Sequence, residues 1–374
     1  MKKNNKHSCP LCGTPLAEYE RYPWYVCPKC ASKVTDINGR RLVFYNLDFS
    51  GGFSAKYNDT GEIYNSHTCY IECIECYADE ARFGGIVVQK VILDVDDGSE
   101  LGEASINVGI FSKKKYIIGA IIGDIIGSVY EWNNVKTTEF QMFGKNTDFT
   151  DDSVLTFATM DSILHQIDYT EAYQTYARKF PNRGYGGNFA SWIKDNHPKP
   201  YNSWGNGSAM RISPVGWAYD SLDEVLSQAK RSAEVTHNHP EGINGAQATA
   251  SAIFLARKGK SKLEIKKFIE QTFNYNLDRS IKEIRPAFRF DESCQGTVPE
   301  AIIAFLESMD FENAIRLAIS LGGDSDTIAC ITGGIAEAFY KEIPDSIIES
   351  SLRVLPTEII KLIEEFSIKF RNSD

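Results

Sequence analysis

Residues 322–327, Gly-Gly-Asp-Ser-Asp-Thr, put two carboxylates and a threonine hydroxyl within four positions, directly after a glycine pair. Glycines let the backbone turn sharply, and the apolar segment that follows, residues 328–340, reads as a buried helix with free N–H groups at its start. Acids presented this way converge on one point, as ligands of a hard cation do. A second stretch, Phe149-Thr150-Asp151-Asp152-Ser153, again sets a hydroxyl and two acids at the head of an apolar-periodic helix. Taken singly, each is also what an N-cap looks like, since acids there complement the helix dipole. Taken together, Asp151, Asp152, Asp324 and Asp326 would bring four negative charges to one site, which needs cations to stay ionised. Two divalent ions would balance them. All donors are oxygen, so the pair predicts Mg²⁺ or Mn²⁺ before Zn²⁺.

A different chemistry sits near the start. Cys9-Pro10-Leu11-Cys12-Gly13 and Cys27-Pro28-Lys29-Cys30 are two Cys-x-x-Cys knuckles. Together they supply a closed Cys₄ shell for one tetrahedral ion, an arrangement that resembles a zinc ribbon. A closed shell leaves no open position, so that zinc is expected to be structural. Cys69, Cys73 and Cys76, with His67 nearby, offer a second set of ligand types, but buried thiols on strands are the favoured reading because Cys is so often buried.

The elements that must carry these residues fall into three segments. Residues 1–40 hold the knuckles. Residues 41–114 show short alternating and β-branched runs, with a hairpin turn at 58–61 and a strand at 86–88, and predict a small β-rich domain. After the lysine run at 113–115, residues 115–374 carry helical periodicity almost throughout, for example at 171–180, 222–233, 245–257, 262–275, 298–306, 311–320 and 358–371. They predict an all-α bundle, making the chain multidomain. Gly119, Gly123 and Gly127 recur every four residues, spacing that close helix packing explains without a ligand.

With 374 residues the chain can bury a sizeable core, and its net charge of −10 argues against broad non-specific nucleic-acid binding. Neither a signal peptide nor a credible membrane span is read, so the protein is expected to be cytoplasmic, its nine cysteines thiols or metal ligands.

Five motifs then fall in the order of a known family. Residues 123–131, Gly-Asp-Ile-Ile-Gly-Ser-Val-Tyr-Glu, are followed by residues 149–153, by residues 205–211, Gly-Asn-Gly-Ser-Ala-Met-Arg, by Thr236-His237 and by residues 321–327. Over residues 117–340 the chain resembles the ADP-ribosylglycohydrolases, which include the dinitrogenase-reductase-activating glycohydrolase and the ADP-ribosyl-acceptor hydrolases. The resemblance implies a compact all-α bundle with two Mg²⁺ or Mn²⁺ ions at the base of an ADP-ribose cleft. By position it implies Thr150, Asp151, Asp152, Asp324, Asp326 and Thr327 as metal ligands. Glu131 matches the acid used for proton transfer, and Asp152 is taken as its catalytic partner.

The substrate side is read from glycines and one histidine. Gly205-Asn206-Gly207-Ser208 precedes a helix start and can cradle a diphosphate, with Asn206, Gly207 and Ser208 as contacts. Gly186 and Gly187 would form another wall, with Tyr185 as a stacking face for adenine. The resemblance makes His237 a substrate contact; capping or loop packing is the alternative. The implied activity is metal-dependent cleavage of a ribose C1″ glycosidic bond, removing ADP-ribose from a modified protein or nucleic acid. A free ADP-ribosyl compound as substrate, or binding without turnover, are the rival readings. The resemblance says nothing about the segments before residue 115.

Overall fold

The computed structural model describes residues 8–17, 22, 24–36, 39–48, 51–71, 74–81, 85–90 and 116–371. The chain divides into two compact units, residues 1–114 and 115–374.

In the first unit, β1 (Leu42–Asp48) pairs antiparallel with β2 (Gly51–Tyr57), Phe44 lying opposite Ala55. The turn after β2 brings the Tyr57 amide to the Glu62 carbonyl at 2.9 Å and the Tyr64 amide to the Ala55 carbonyl at 2.9 Å, so the expected 58–61 hairpin forms. A second, antiparallel sheet is built from β3 (Thr68–Ile71), β4 (Ile74–Glu80) and β5 (Ile86–Lys90), in that order. One core serves both the knuckles and the strands: Cys9, Cys27 and Cys30 are buried with Leu42, Ile71, Ala78 and Val88. Cys69 and Cys76 face each other across β3 and β4 and are fully buried in that core. Among the described residues neither belongs to a metal-competent cluster, and Cys73 lies outside the described residues. His67 is instead held by stacking, 3.9 Å from the Phe53 ring and 5.1 Å from Tyr77, with Nδ1 2.7 Å from the Ala78 carbonyl.

The second unit is helical. Its centre is the helix Ser325–Tyr340, of which only the last turn reaches the surface. Against it lies Gly119–Gly127, and the three glycines spaced by four form the seam: a Cβ at Gly119 would meet the Gly333 carbonyl at 2.5 Å, and one at Gly123 would overlap the Ala329 backbone. Helices Asp151–His165, Pro240–Arg257, Cys294–Glu307 and Phe311–Ile319 surround this pair, each presenting an apolar face. The Glu337 carboxylate, fully buried, accepts from the Ile118 amide at 3.0 Å and the Gly119 amide at 2.6 Å, capping the first helix from the central one. Arg371, at the end of Thr357–Phe370, pairs with the same carboxylate. A buried acid is tolerable only with such donors. Among the described residues no helix is long and apolar enough to cross a membrane.

Candidate active site

The helix Asp151–His165 starts where it does because Thr150 caps it, accepting from the Asp152 amide at 3.3 Å. That turn is fixed from outside by Asp124. Its carboxylate, fully buried, accepts from the Thr150 amide at 2.9 Å, the Thr150 hydroxyl at 2.6 Å, the Ser153 amide at 3.1 Å and the Ser153 hydroxyl. Asp151 lies against Gly184, whose φ of +103° and lack of a side chain leave room: a Cβ there would be 2.9 Å from Oδ1. Asp152 Oδ1 accepts from the Thr327 hydroxyl at 3.3 Å, while Asp152 Oδ2 is buried without a hydrogen-bond partner.

The opposite wall is the glycine turn. Gly322 and Gly323 take φ of 68° and 71°, the left-handed region that glycine enters without strain, and deliver Asp324 to the head of the central helix. Asp324 Oδ2 accepts from the Asn206 side chain at 2.6 Å, and Asp326 Oδ1 accepts from the Thr327 amide at 3.0 Å. Glu131 completes the wall. Its carboxylate approaches those of Asp324 and Asp326, one oxygen from each lying within 4.8 Å of the others. Asn134 ties this acid to the turn: its Nδ2 donates to the Glu131 carbonyl at 2.7 Å and the Gly323 carbonyl at 3.1 Å, and its Oδ1 accepts from the Gly323 amide at 2.7 Å.

Crowding sets the electrostatics. Burial, then the charges of Asp124, Asp324 and Glu131, push Asp151 up to about 8. Burial and the Asp324 charge push Glu131 up to about 7. Asp152 and Asp326 are held well above the usual carboxylate range by burial and by their acidic neighbours. Five carboxylates, a buried oxygen with no donor and an all-oxygen donor set fit divalent hard cations. Thr150, Asp151, Asp152, Glu131, Asp324, Asp326 and Thr327 all line one cleft of about 290 Å³.

The other wall of the cleft carries Gly186, Gly187, Asn206, Gly207 and His237, the last with 6% of its surface exposed. Ser208 does not line it. Its hydroxyl is fully buried and donates to the Gly242 carbonyl at 2.7 Å, because one step further along the helical turn the side chain faces the core. Tyr185 turns away from the cleft, donating to the Phe180 carbonyl at 2.8 Å; Phe189, against which it lies, lines the cleft together with Tyr201 and Phe290. The sequence alone assigns no role to Asp124 or Asn134. An acid inside the apolar run 116–130 was the available signal for Asp124; Asn134 carried none.

The family model of the ADP-ribosylglycohydrolases matches residues 114–374. The chain belongs to the ADP-ribosylglycohydrolase family. Members are hydrolases, and the matched region is the helical unit that holds the whole acidic cleft. The glycohydrolase region is similar to mouse ADP-ribosylhydrolase ARH3, 27% identical over 314 residues, covering 62% of this chain and 84% of the mouse protein. It is similar also to a putative ADP-ribosyl glycohydrolase of Acanthamoeba polyphaga mimivirus, 26% identical over 303 residues, 65% of this chain and 91% of the viral one. A solved structure titled ADP-ribosylglycohydrolase-related protein complex shares the fold, with a TM-score of 0.54 and 22% identity over 68% of this chain and 95% of that one. The glycohydrolase model leaves residues 1–113 unmatched.

In that first unit Cys9, Cys12, Cys27 and Cys30 bring their sulfurs within 4.8 Å of one another. The Cys12 and Cys27 sulfurs are 3.5 Å apart, and the Cys27 amide donates to the Cys9 sulfur at 3.3 Å. Thr14 and the neighbouring sulfurs hold the Cys12 thiol down to about 6, while burial and the other sulfurs hold Cys30 up. Four converging sulfurs with one already acidic fit a tetrahedral zinc.

Proposed function

We infer that this glycohydrolase is divalent-metal-dependent and removes ADP-ribose from a modified macromolecule by hydrolysing the ribose C1″ bond. The observation that carries the reading is the meeting of Glu131 with Asp324 and Asp326 beside the partnerless Asp152 Oδ2. Thr150, Asp151, Asp152, Asp324, Asp326 and Thr327 would hold two Mg²⁺ or Mn²⁺ ions. When bound, the cations supply Lewis acidity at the ribose and compensate the carboxylates. Cleavage at C1″ passes through an oxocarbenium-like state that clustered negative charge stabilises. Glu131 sits at the rim of the carboxylate cluster with an affinity for protons near neutrality, suited to moving a proton between water and the leaving group. Asp152 is the second acid at the reacting centre. Asn206 and Gly207 with Gly186 and Gly187 form the wall suited to the diphosphate.

The mouse ADP-ribosylhydrolase and the viral ADP-ribosyl glycohydrolase to which the chain is similar support the substrate class. The Cys₄ cluster is read as a structural zinc site, and residues 1–40 and 41–114 as a module outside the catalytic machinery that helps select the acceptor. Cysteines must stay reduced to hold zinc, which suits a reducing compartment and supports residence in the cytoplasm. The deciding experiment offers purified protein a panel of ADP-ribosylated arginine, serine and nucleic-acid acceptors and a free ADP-ribosyl ester, with Mg²⁺ or Mn²⁺ and with EDTA. Cation-dependent release of ADP-ribose from one macromolecular class is expected. Turnover that EDTA leaves intact would sink the metal assignment, and binding of ADP-ribose without release would sink the hydrolase reading.

A further inference from the structure

The cleft residue His237 is not alone: it ends a chain of buried polar groups that begins at Arg211. The Arg211 guanidinium is fully buried and lies over the Tyr173 ring, 4.2 Å from its centroid. Its Nη2 donates to the Ser232 carbonyl at 2.8 Å and to the Thr236 hydroxyl at 2.9 Å. Among the described residues no acid pairs with it. Thr236 is likewise fully buried, and its hydroxyl oxygen lies 2.7 Å from His237 Nδ1.

A hydroxyl has one proton and two lone pairs. Arginine can only donate, so the Arg211 contact occupies one lone pair of Thr236. Among the described residues the one acceptor within reach of the Thr236 proton is His237 Nδ1. Were Nδ1 protonated instead, Thr236 would receive two donors and its own buried proton would have no acceptor, which disfavours that tautomer. We propose that Arg211 and Thr236 act as positioning residues that lock His237 as the Nε2–H tautomer, so that it presents a fixed hydrogen-bond donor to an oxygen of the bound ADP-ribose. The direction agrees with the geometry. Nε2 lies on the side of the ring facing the Gly205–Gly207 loop, where a Cβ on Gly207 would be 3.1 Å away, and among the described residues it has no hydrogen-bond partner. Burial and the Arg211 charge also hold His237 well below its ordinary pKa, keeping the ring neutral.

The inference rests on the cleft being an ADP-ribose site, but the tautomer can be read without any ligand. Nitrogen-15 NMR of the full protein should show His237 with a protonated Nε2 and a bare Nδ1, and Thr236→Val should abolish that single-tautomer signature while Thr236→Ser restores it. By calorimetry, Thr236→Val should weaken ADP-ribose binding about tenfold, the equivalent of one ordinary hydrogen bond. Thr236→Ser should recover it. Because Thr236→Val also strips an acceptor from Arg211, a second pair avoids that site: His237→Gln can still offer an N–H near the Nε2 position and should bind better than His237→Asn. A protonated Nδ1 in the wild type, or unchanged affinity in both Thr236→Val and His237→Asn, overturns the proposal. A wild type with the Nε2–H signature but no affinity for ADP-ribose would overturn the ligand and the proposed activity while leaving the Arg211–Thr236–His237 relay standing.

Discussion

Gly127 lies against the backbone of Asp326 so closely that a Cβ on the glycine would fall 2.8 Å from the Asp326 amide nitrogen and closer still to its Cα. The seam between the two helices thus reaches the acidic cleft itself. Gly127→Ala is therefore expected to force apart the very elements that carry Asp124 and Asp326. Overpacking of this kind typically costs about 1–3 kcal/mol. Thermal denaturation should register the loss, together with weaker cation binding, whereas Gly187→Ala, where a Cβ meets open space, should leave the melting temperature unchanged. Equal melting temperatures for Gly127→Ala and the wild type would refute the packing account.

Stability of the cation-free protein should fall as pH rises. Asp151 titrates at about 8 in the folded chain, against about 4 for an unfolded aspartate. Between those values the folded state binds more protons than the unfolded one, so ΔG of unfolding decreases with pH across the window. Asp152 and Asp326, raised in the same direction, add to the slope. Cations relieve the repulsion that deprotonation creates. The rise in melting temperature on adding Mg²⁺ or Mn²⁺ to EDTA-treated protein should consequently be larger at pH 8 than at pH 5.5. A cation effect independent of pH would argue against binding by these acids.

Glu131 and Asn134 can be told apart by what their loss removes. Glu131→Gln keeps shape and hydrogen bonding but cannot move a proton, so turnover should fall about 10²–10⁴-fold with ADP-ribose affinity retained. Asn134→Ala leaves the acid in place and cuts the links from the Glu131 carbonyl to the Gly323 turn. Support of this kind is typically worth about 10–100-fold in metal affinity or activity. Manganese titration by calorimetry should move for Asn134→Ala and stay near the wild-type value for Glu131→Gln; the reverse pattern would exchange the two roles.

The helical unit should work by itself. A fragment covering residues 115–374 is expected to fold and to hydrolyse a small ADP-ribosyl substrate at near the full rate. Should residues 1–114 select the acceptor, the same truncation raises KM for the macromolecular substrate and spares kcat. Chelation strong enough to strip zinc should unfold the first unit only, because the Cys₄ shell holds that unit together. Loss of activity on both substrates in the fragment would assign the N-terminal segments to support of the catalytic fold.

Much of this site was legible one residue after another. Thr150 caps the helix whose first acids are Asp151 and Asp152, and the 322–323 glycine pair turns the chain into Asp324, because capping and left-handed turns are set by neighbours a few positions away. The same locality explains the Cys-x-x-Cys knuckles, the 58–61 hairpin and the every-fourth glycines. Tertiary structure alone decided what those acids stand beside. Asp124 orients Thr150 and Ser153 across 26 and 29 residues, and Asn134, bonded to the Glu131 carbonyl, reaches Gly323 across 189. It also decided which way each side chain points, sending Ser208 and Tyr185 into the protein while Phe290 and Tyr201 face the cleft. Local spacing specifies the face of a helix only to within a turn. Which of its neighbours shares that face depends on how close two backbones can come, and here the bare flank of Gly123 and Gly127 makes that choice.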